Sequence, residues 1–211
     1  MQDFWVKATT FFLFEYVLMF KTHNYDFGII FYMNKTICVF CAANNVDEKY
    51  IKDTNVLGKL MVENKYDLVW GGSDKGLMKV IADGVQSAGG KIIGITMEML
   101  KNTRRMNSDE MIIAKDLPER KSLLLKRADA IILLVGGIGS LDEVTEILEH
   151  KKHNVHNKPI VVLNTDGFYS GLKAQFIRMK EDGFLTKEIN ELIYFADTPN
   201  DALSYINKSL R

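Results

Sequence analysis

From Lys35 to the C-terminus, short apolar runs alternate with longer stretches of helical spacing, and no other feature constrains the fold as much. The runs are Thr36–Cys41, Leu68–Trp70, Lys91–Thr96, Glu110–Ile113, Ala130–Val135, Pro159–Leu163 and Ile193–Ala196. Between them, apolar residues recur three and four apart in Glu48–Glu63, Gly76–Ser87, Glu119–Arg127, Leu141–His150, Tyr169–Glu181 and Asp201–Lys208. That succession means βαβ units. Near-continuous apolar strands such as Ile131-Ile132-Leu133-Leu134-Val135 suit a sheet buried on both faces, whereas a half-solvated sheet would alternate. The expected architecture is α/β: a doubly wound, mainly parallel, Rossmann-like sheet with helices on both faces. Such sheets take their ligands at the carboxyl ends of the strands, which is where chemistry is to be sought.

The first 32 residues break the pattern, holding eleven of the 22 aromatic residues and no clear periodicity. Their greasiest stretch, Phe11 to Phe20, is interrupted by Glu15 and falls short of the roughly 20 apolar residues a bilayer span needs. A basic start and a small-residue cleavage site, the marks of a signal peptide, are not convincing either. Residues 1–32 therefore read as an aromatic-rich appendage outside the core fold, with 33–211 a single domain and Met33 its natural start. A membrane-associating segment and a packed extra helix are the alternatives. Lys and Arg balance Asp and Glu at 27 each, so net charge makes no case for nucleic acid or stable membrane insertion. Two cysteines cannot build a disulfide framework, and a cytoplasmic setting is the default.

Two strand ends carry glycine. Trp70-Gly71-Gly72-Ser73-Asp74-Lys75-Gly76 and Val135-Gly136-Gly137-Ile138-Gly139-Ser140 each run from a strand through a glycine turn into a helix. Glycine lets backbone approach a phosphate, and the helix N-terminus offers free N–H groups with a favourable dipole. Tight turning alone also needs glycine, so the first turn has a purely structural reading. Neither turn is a P-loop or a strict G-x-G-x-x-G. Ser140-Leu141-Asp142-Glu143 has a competing reading as a capping box, with Glu143 serving stability. Leu117-Pro118-Glu119-Arg120-Lys121 opens the helix before strand Ala130–Val135, and two cations there oppose the helix dipole unless an anion is near.

These residues resemble the Lonely Guy family of cytokinin-activating phosphoribohydrolases, whose members often carry a lysine decarboxylase label. The family signature P-G-G-x-G-T-x-x-E is similar to Val135–Glu143. An R-K pair ahead of an A-D-A strand entry resembles Arg120-Lys121 with Ala128-Asp129-Ala130, and Y-G-G-G-x-x-G-L-M resembles Trp70–Met78. The first-strand pattern C-V-[FY]-C-G-S-S is similar to Cys38–Asn44. Four motifs in order, from about Lys35 onward, are far more specific than one. Departures are Val135, Ser140 and Ser73, and Ala42-Ala43-Asn44 in place of a glycine and two serines.

The resemblance implies hydrolysis of the N-glycosidic bond of a nucleoside 5'-monophosphate, often an N6-modified adenylate, to free base and ribose 5-phosphate. It implies Glu143 and Arg120 as catalytic residues. Gly71, Gly72, Gly136, Gly137, Gly139, Ser140 and Lys121 would bind substrate or phosphate, and Glu146 the ribose hydroxyls. No metal or other cofactor is implied. It further implies a homodimer with sites near the interface. Leu123, Leu124, Leu125, Ile147 and Leu148, on the two helices flanking the site, read as more apolar surface than one sheet face covers.

Other clusters read as structural. His150, His153 and His156 suit a helix C-terminus, Cys38 and Cys41 suit packed thiols within a strand, and Met97, Met99 and Met106 fill a loop or line a base pocket. No lysine stands out for Schiff-base chemistry. Two classes of function stay open: the hydrolase, and a non-catalytic nucleotide-binding or carrier protein, to which the Ala42–Asn44 departure points.

Overall fold

The computed structural model describes residues 34–211 and, ahead of them, the backbone of two short strands, β1 (Val17–Leu18) and β2 (Ile30–Phe31), paired antiparallel. The appendage expected over residues 1–32 otherwise lies outside the described residues. Contacts divide the chain into two units, Met1–Asn34 and Lys35–Arg211.

Seven strands and seven helices make up the second unit. In chain order they are β3 (Lys35–Phe40), α1 (Glu48–Glu63), β4 (Tyr66–Trp70), α2 (Gly76–Ser87), β5 (Ile92–Met97), β6 (Glu110–Ala114), α3 (Leu117–Arg127), β7 (Ala130–Leu133), α4 (Ile138–Lys152), β8 (Ile160–Leu163), α5 (Ser170–Glu181), α6 (Ile189–Leu192), β9 (Tyr194–Ala196) and α7 (Pro199–Ser209). Every expected strand and helix is present. Three short elements escape the periodicity: the one-turn helix α6 and 3-10 turns at Glu98–Thr103, inside the expected loop, and at Thr165–Gly167. None is long enough to display a period.

All strand pairings in the sheet are parallel, in the order β6-β5-β4-β3-β7-β8-β9. The chain builds outward from β3 to β6, then crosses back to β7 and builds the other way. The order reverses between β3 and β7, and the crevice above that point is where a doubly wound sheet binds ligands. Alternate residues of the central strands feed two cores. Ile37, Val39, Leu68, Trp70 and Ile132 pack against Leu57, Leu77 and Ile206 of α1, α2 and α7. Cys38, Phe40, Val69, Ile131 and Leu133 pack against Leu124, Val144 and Ile147 of α3 and α4. Burial on both faces explains the unbroken apolar runs. Among the described residues, no helix is long and apolar enough to cross a membrane.

Leu124, Ile147 and Leu148 are buried within the single chain, and Leu123 and Leu125 are partly buried against the same core. The expected surplus of apolar surface on these helices is not there: the sheet face takes it up.

Candidate active site

Both glycine turns lie at the carboxyl edge of the sheet, but the structure treats them differently. At the first, an ideal Cβ on Gly76 would fall 2.3 Å from the Asn44 carbonyl oxygen, and the Met78 amide donates to Ala42 O at 3.3 Å. The β3–α1 turn thus closes over the start of α2 through main-chain atoms of Ala42, Ala43 and Asn44, which do not depend on the side chains there. Gly71 leaves room for Arg120, whose Nη2 would stand 2.3 Å from a Cβ there, while Gly72 faces Met111 and Thr96. At this turn the glycines expected to bind phosphate are engaged in close packing.

The second turn is open. Helix α4 begins at Ile138 with Gly137 as its N-cap and no capping side chain, whereas Asp47, Asp116 and Thr198 cap α1, α3 and α7. A Cβ on Gly137 or Gly139 would meet nothing within 4 Å, and one on Gly136 would strike the Ser140 hydroxyl at 2.2 Å. Unpaired N–H groups, a positive helix end and a neighbouring hydroxyl are the chemistry that suits an anion. The capping-box reading of Ser140–Glu143 is corrected here, because α4 starts two residues before Ser140 and Glu143 reaches elsewhere. A glycine cap leaves no polar signal in sequence, which is why Ser140 reads as the cap from sequence alone.

Glu143 reaches Arg120. Arg120 Nη1 donates to Glu143 Oε1 at 2.6 Å, Nε donates to Ile95 O at 2.9 Å, and Nη2 donates to Gly71 O at 3.5 Å. Both residues are buried, at 6% and 8% exposure. Burial pushes the Glu143 carboxyl above its ordinary range, and the Arg120 guanidinium pulls the other way without cancelling it. An arginine at a helix start, unfavourable by dipole, is explained by this carboxylate. A buried ion pair is weak as a stability device, so its place at a strand-end crevice marks it for function.

Lys121 and Glu146 stand beside this pair. Lys121 bridges Asp142 at 3.2 Å and Glu146, which holds its ammonium charged. Its charge, expected to meet substrate, is engaged by α4, and so is the Glu146 carboxylate.

Tyr169, which carries no sequence signal of its own, is buried just before the open turn, where its hydroxyl donates to Leu134 O at 3.0 Å. The turn Asn164-Thr165-Asp166-Gly167 at the end of β8 is a readable punctuation mark just ahead of it. Cys38 and Cys41 are buried thiols on opposite faces of the sheet, and His150 and His153 end α4. Among the described residues no group of His, Cys, Asp or Glu is placed to hold a metal. Two surface hollows, of about 450 and 160 Å³, lie among other residues.

Fold and site together define a class: a doubly wound α/β protein with an open, glycine-capped helix end at its switch point and a buried Arg–Glu pair beside it. A family profile described as "Possible lysine decarboxylase" matches residues 78–206. The chain is 33% identical over 178 residues to the probable cytokinin riboside 5'-monophosphate phosphoribohydrolase LOG4 of Oryza sativa subsp. japonica, covering 83% of this chain and 77% of that one. It is 32% identical to the Arabidopsis thaliana enzyme LOG3 over 82% of each chain, and 29% identical to a Mycobacterium marinum phosphoribohydrolase over 80% of this chain and 91% of that one. This chain belongs to the same family, the Lonely Guy phosphoribohydrolases. The fold is also that of a molybdenum cofactor binding protein from Rippkaea orientalis, with a TM-score of 0.67 at 22% identity over 84% of this chain and 98% of that one.

Proposed function

We propose that this protein hydrolyses the N-glycosidic bond of a purine nucleoside 5'-monophosphate, of the N6-modified adenine type, to free base and ribose 5-phosphate. The observation that carries the reading is the buried Arg120–Glu143 pair adjoining the open cradle at Gly136–Ser140. The names of its relatives, which specify cytokinin riboside 5'-monophosphate, supply the substrate class.

In this mechanism the 5'-phosphate sits on the free amides of α4 and the Ser140 hydroxyl, with Gly136, Gly137 and Gly139 keeping the approach clear. The bond between the sugar carbon and the base nitrogen breaks, and its electron pair leaves with the base. Positive charge develops on the ribose. The Glu143 carboxylate stabilises that charge and orients a water, whose oxygen joins the sugar carbon while its proton goes to the departing base. Arg120 favours the ionised form of Glu143 against the burial that opposes it, and fixes its direction. Gly71 and Gly72 form the floor that gives Arg120 its place, and Lys121 and Glu146 hold α3 against α4. No cofactor enters the step.

The active form in this proposal is a cytoplasmic homodimer without nucleic-acid partners. Its support is local: Ile138 and Leu117, the first residues of α4 and α3, are 86% and 52% exposed beside an open-sided site, which a second copy would wall. The carrier alternative leaves the buried ion pair without a use. Incubation with adenosine monophosphate and its N6-isopentenyl analogue is expected to release base, faster from the analogue. Release from neither contradicts the proposal.

A further inference from the structure

Helix α5 packs unlike the other long helices of the sheet. Helices α1, α2, α4 and α7 each bury four residues or more, whereas none of the twelve residues of α5 is buried. A helix of that length is marginal in water by itself and takes its stability from a packed apolar face. The face exists, since Leu172, Phe176 and Met179 recur four and three apart, but it is only half covered. What it leaves open is a hollow of about 160 Å³ between α5, α6 and the C-terminal half of α4, with Leu148, Phe176, Met179, Leu185, Ile189 and Leu192 among its walls. An apolar cavity of about 150 Å³ holds a benzene ring, so the hollow has room for one aromatic side chain.

The chain carries such a side chain at the edge of the hollow. Helix α5 ends in a Schellman turn: Gly183, at φ 81°, donates to Lys180 O at 3.1 Å, and the Phe184 amide donates to Met179 O at 2.8 Å. An apolar residue at the position of Phe184 ordinarily packs back onto its own helix. Phe184 instead stays 78% exposed, although Met179 and Leu185 on either side of it line the hollow. Ring and hollow also differ in charge. Glu181 and Asp182 precede Phe184, with Asp182 paired to Arg178, while the last turn of α4 carries His150, Lys151 and Lys152. Lys152 lines the hollow, beside its partner Glu149.

We propose that the α5–α6 face is a contact between two copies of this chain related by a two-fold axis, in which Phe184 of each copy fills the hollow of the other. A two-fold contact uses the same patch on both copies, so it needs a projection and a recess side by side on one surface, and Phe184 and the hollow supply them. The exchange also brings the acidic turn at Glu181–Asp182 of one copy against the basic last turn of α4 of the other. This contact is separate from the one that would wall the active site. Lys152 stands at the opposite end of α4 from Ile138, roughly 20 Å along the helix. It is independent of the hydrolytic reading, and together the two contacts would join dimers into a larger assembly.

Sedimentation velocity and amide hydrogen exchange on the full chain, each read across protein concentration, test the assignment. The parent is expected to show an association step that about doubles its mass, with residues 170–193 gaining protection over the same concentrations. Phe184→Asp should abolish both the step and the protection while leaving the melting temperature of the dilute protein unchanged, because the ring it replaces is exposed. Phe184→Ala should weaken the step by at least about tenfold, the scale of an aromatic anchor lost from an interface. Ile138→Asp, which bears on the other contact, should leave this step in place. A parent without the step, or a Phe184→Asp variant that associates as the parent does, overturns the proposal. Protection of residues 170–193 that is the same at every concentration overturns it as well, since the hollow would then be filled without a second copy.

Discussion

Arg120 and Glu143 stand 2.6 Å apart across α3 and α4, separated by 23 residues of chain and each left with only a small exposed face. The guanidinium has two further acceptors, Ile95 O and Gly71 O, so it is held in place independently of the carboxylate. A carboxylate presented by a fixed cation beside an uncapped helix N-terminus is suited to meeting positive charge that develops on an anionic sugar.

Glu143→Gln is expected to abolish base release while leaving the melting temperature within about 3 °C, because the amide oxygen still accepts from Arg120. Near-normal turnover in this variant would remove the carboxylate from the mechanism. The comparison needs only a product assay and a thermal melt.

Activity should fall on the acid side with a midpoint above 4.5, the ordinary glutamate value, because burial favours the neutral form of Glu143. Removing the cation removes the opposing influence, so Arg120→Ala should move this limb to still higher pH, along with an activity loss of at least about tenfold. The sign for stability follows the same logic. The native state binds this proton more tightly than the unfolded chain, so the contribution of Glu143 is present below 4.5 and is lost as pH rises through the raised value. Profiles of kcat/KM for the two proteins check the first point, and melts across the same range check the second.

Gly71→Ala places a methyl group 2.3 Å from Arg120 Nη2 and 3.1 Å from Met78 Cε. The methionine can move, but the arginine is held by Ile95 and Glu143. The variant is expected to fold and to lose activity by about tenfold or more, since displacement of a positioning contact costs catalysis before it costs stability. Full activity would show that Arg120 tolerates displacement.

Arg105 stitches the 103–107 segment to the first glycine turn. Its guanidinium donates to Asp74 at 2.8 Å and to Gln86 at 3.0 and 2.7 Å and pairs with Asp83 at 2.7 Å, and its amide donates to Gly72 O at 2.8 Å. Arg105→Ala is expected to destabilise the fold by about 2 kcal/mol, tempered because both carboxylates are partly exposed. Denaturant unfolding measures it, and an unchanged midpoint would contradict the assignment.

Strands such as Ile131–Leu134 are readable because burial on both faces forces an unbroken apolar run, a local property of the chain. The motif positions of Arg120 and Glu143 are readable too, but their pairing is not, since it depends on how α3 and α4 lie on the sheet. The capping-box reading fails because Gly137 caps α4 without a polar side chain. Leu123 to Leu125 suggest an interface because periodicity counts apolar residues without showing what covers them. Tyr169 is invisible in sequence for a related reason: its hydroxyl meets the Leu134 carbonyl, 35 residues earlier, and only the pairing of β7 with β8 brings the two together.

The most direct measurement of the central claim is product stoichiometry from an N6-modified adenosine 5'-monophosphate, with base, ribose 5-phosphate and inorganic phosphate quantified together. Glycosidic hydrolysis at the Arg120–Glu143 site yields base and ribose 5-phosphate in equal amounts, with no inorganic phosphate, and yields neither in Glu143→Gln. Nucleotide recovered intact in stoichiometric complex with the parent protein, or phosphate released in place of base, would contradict it.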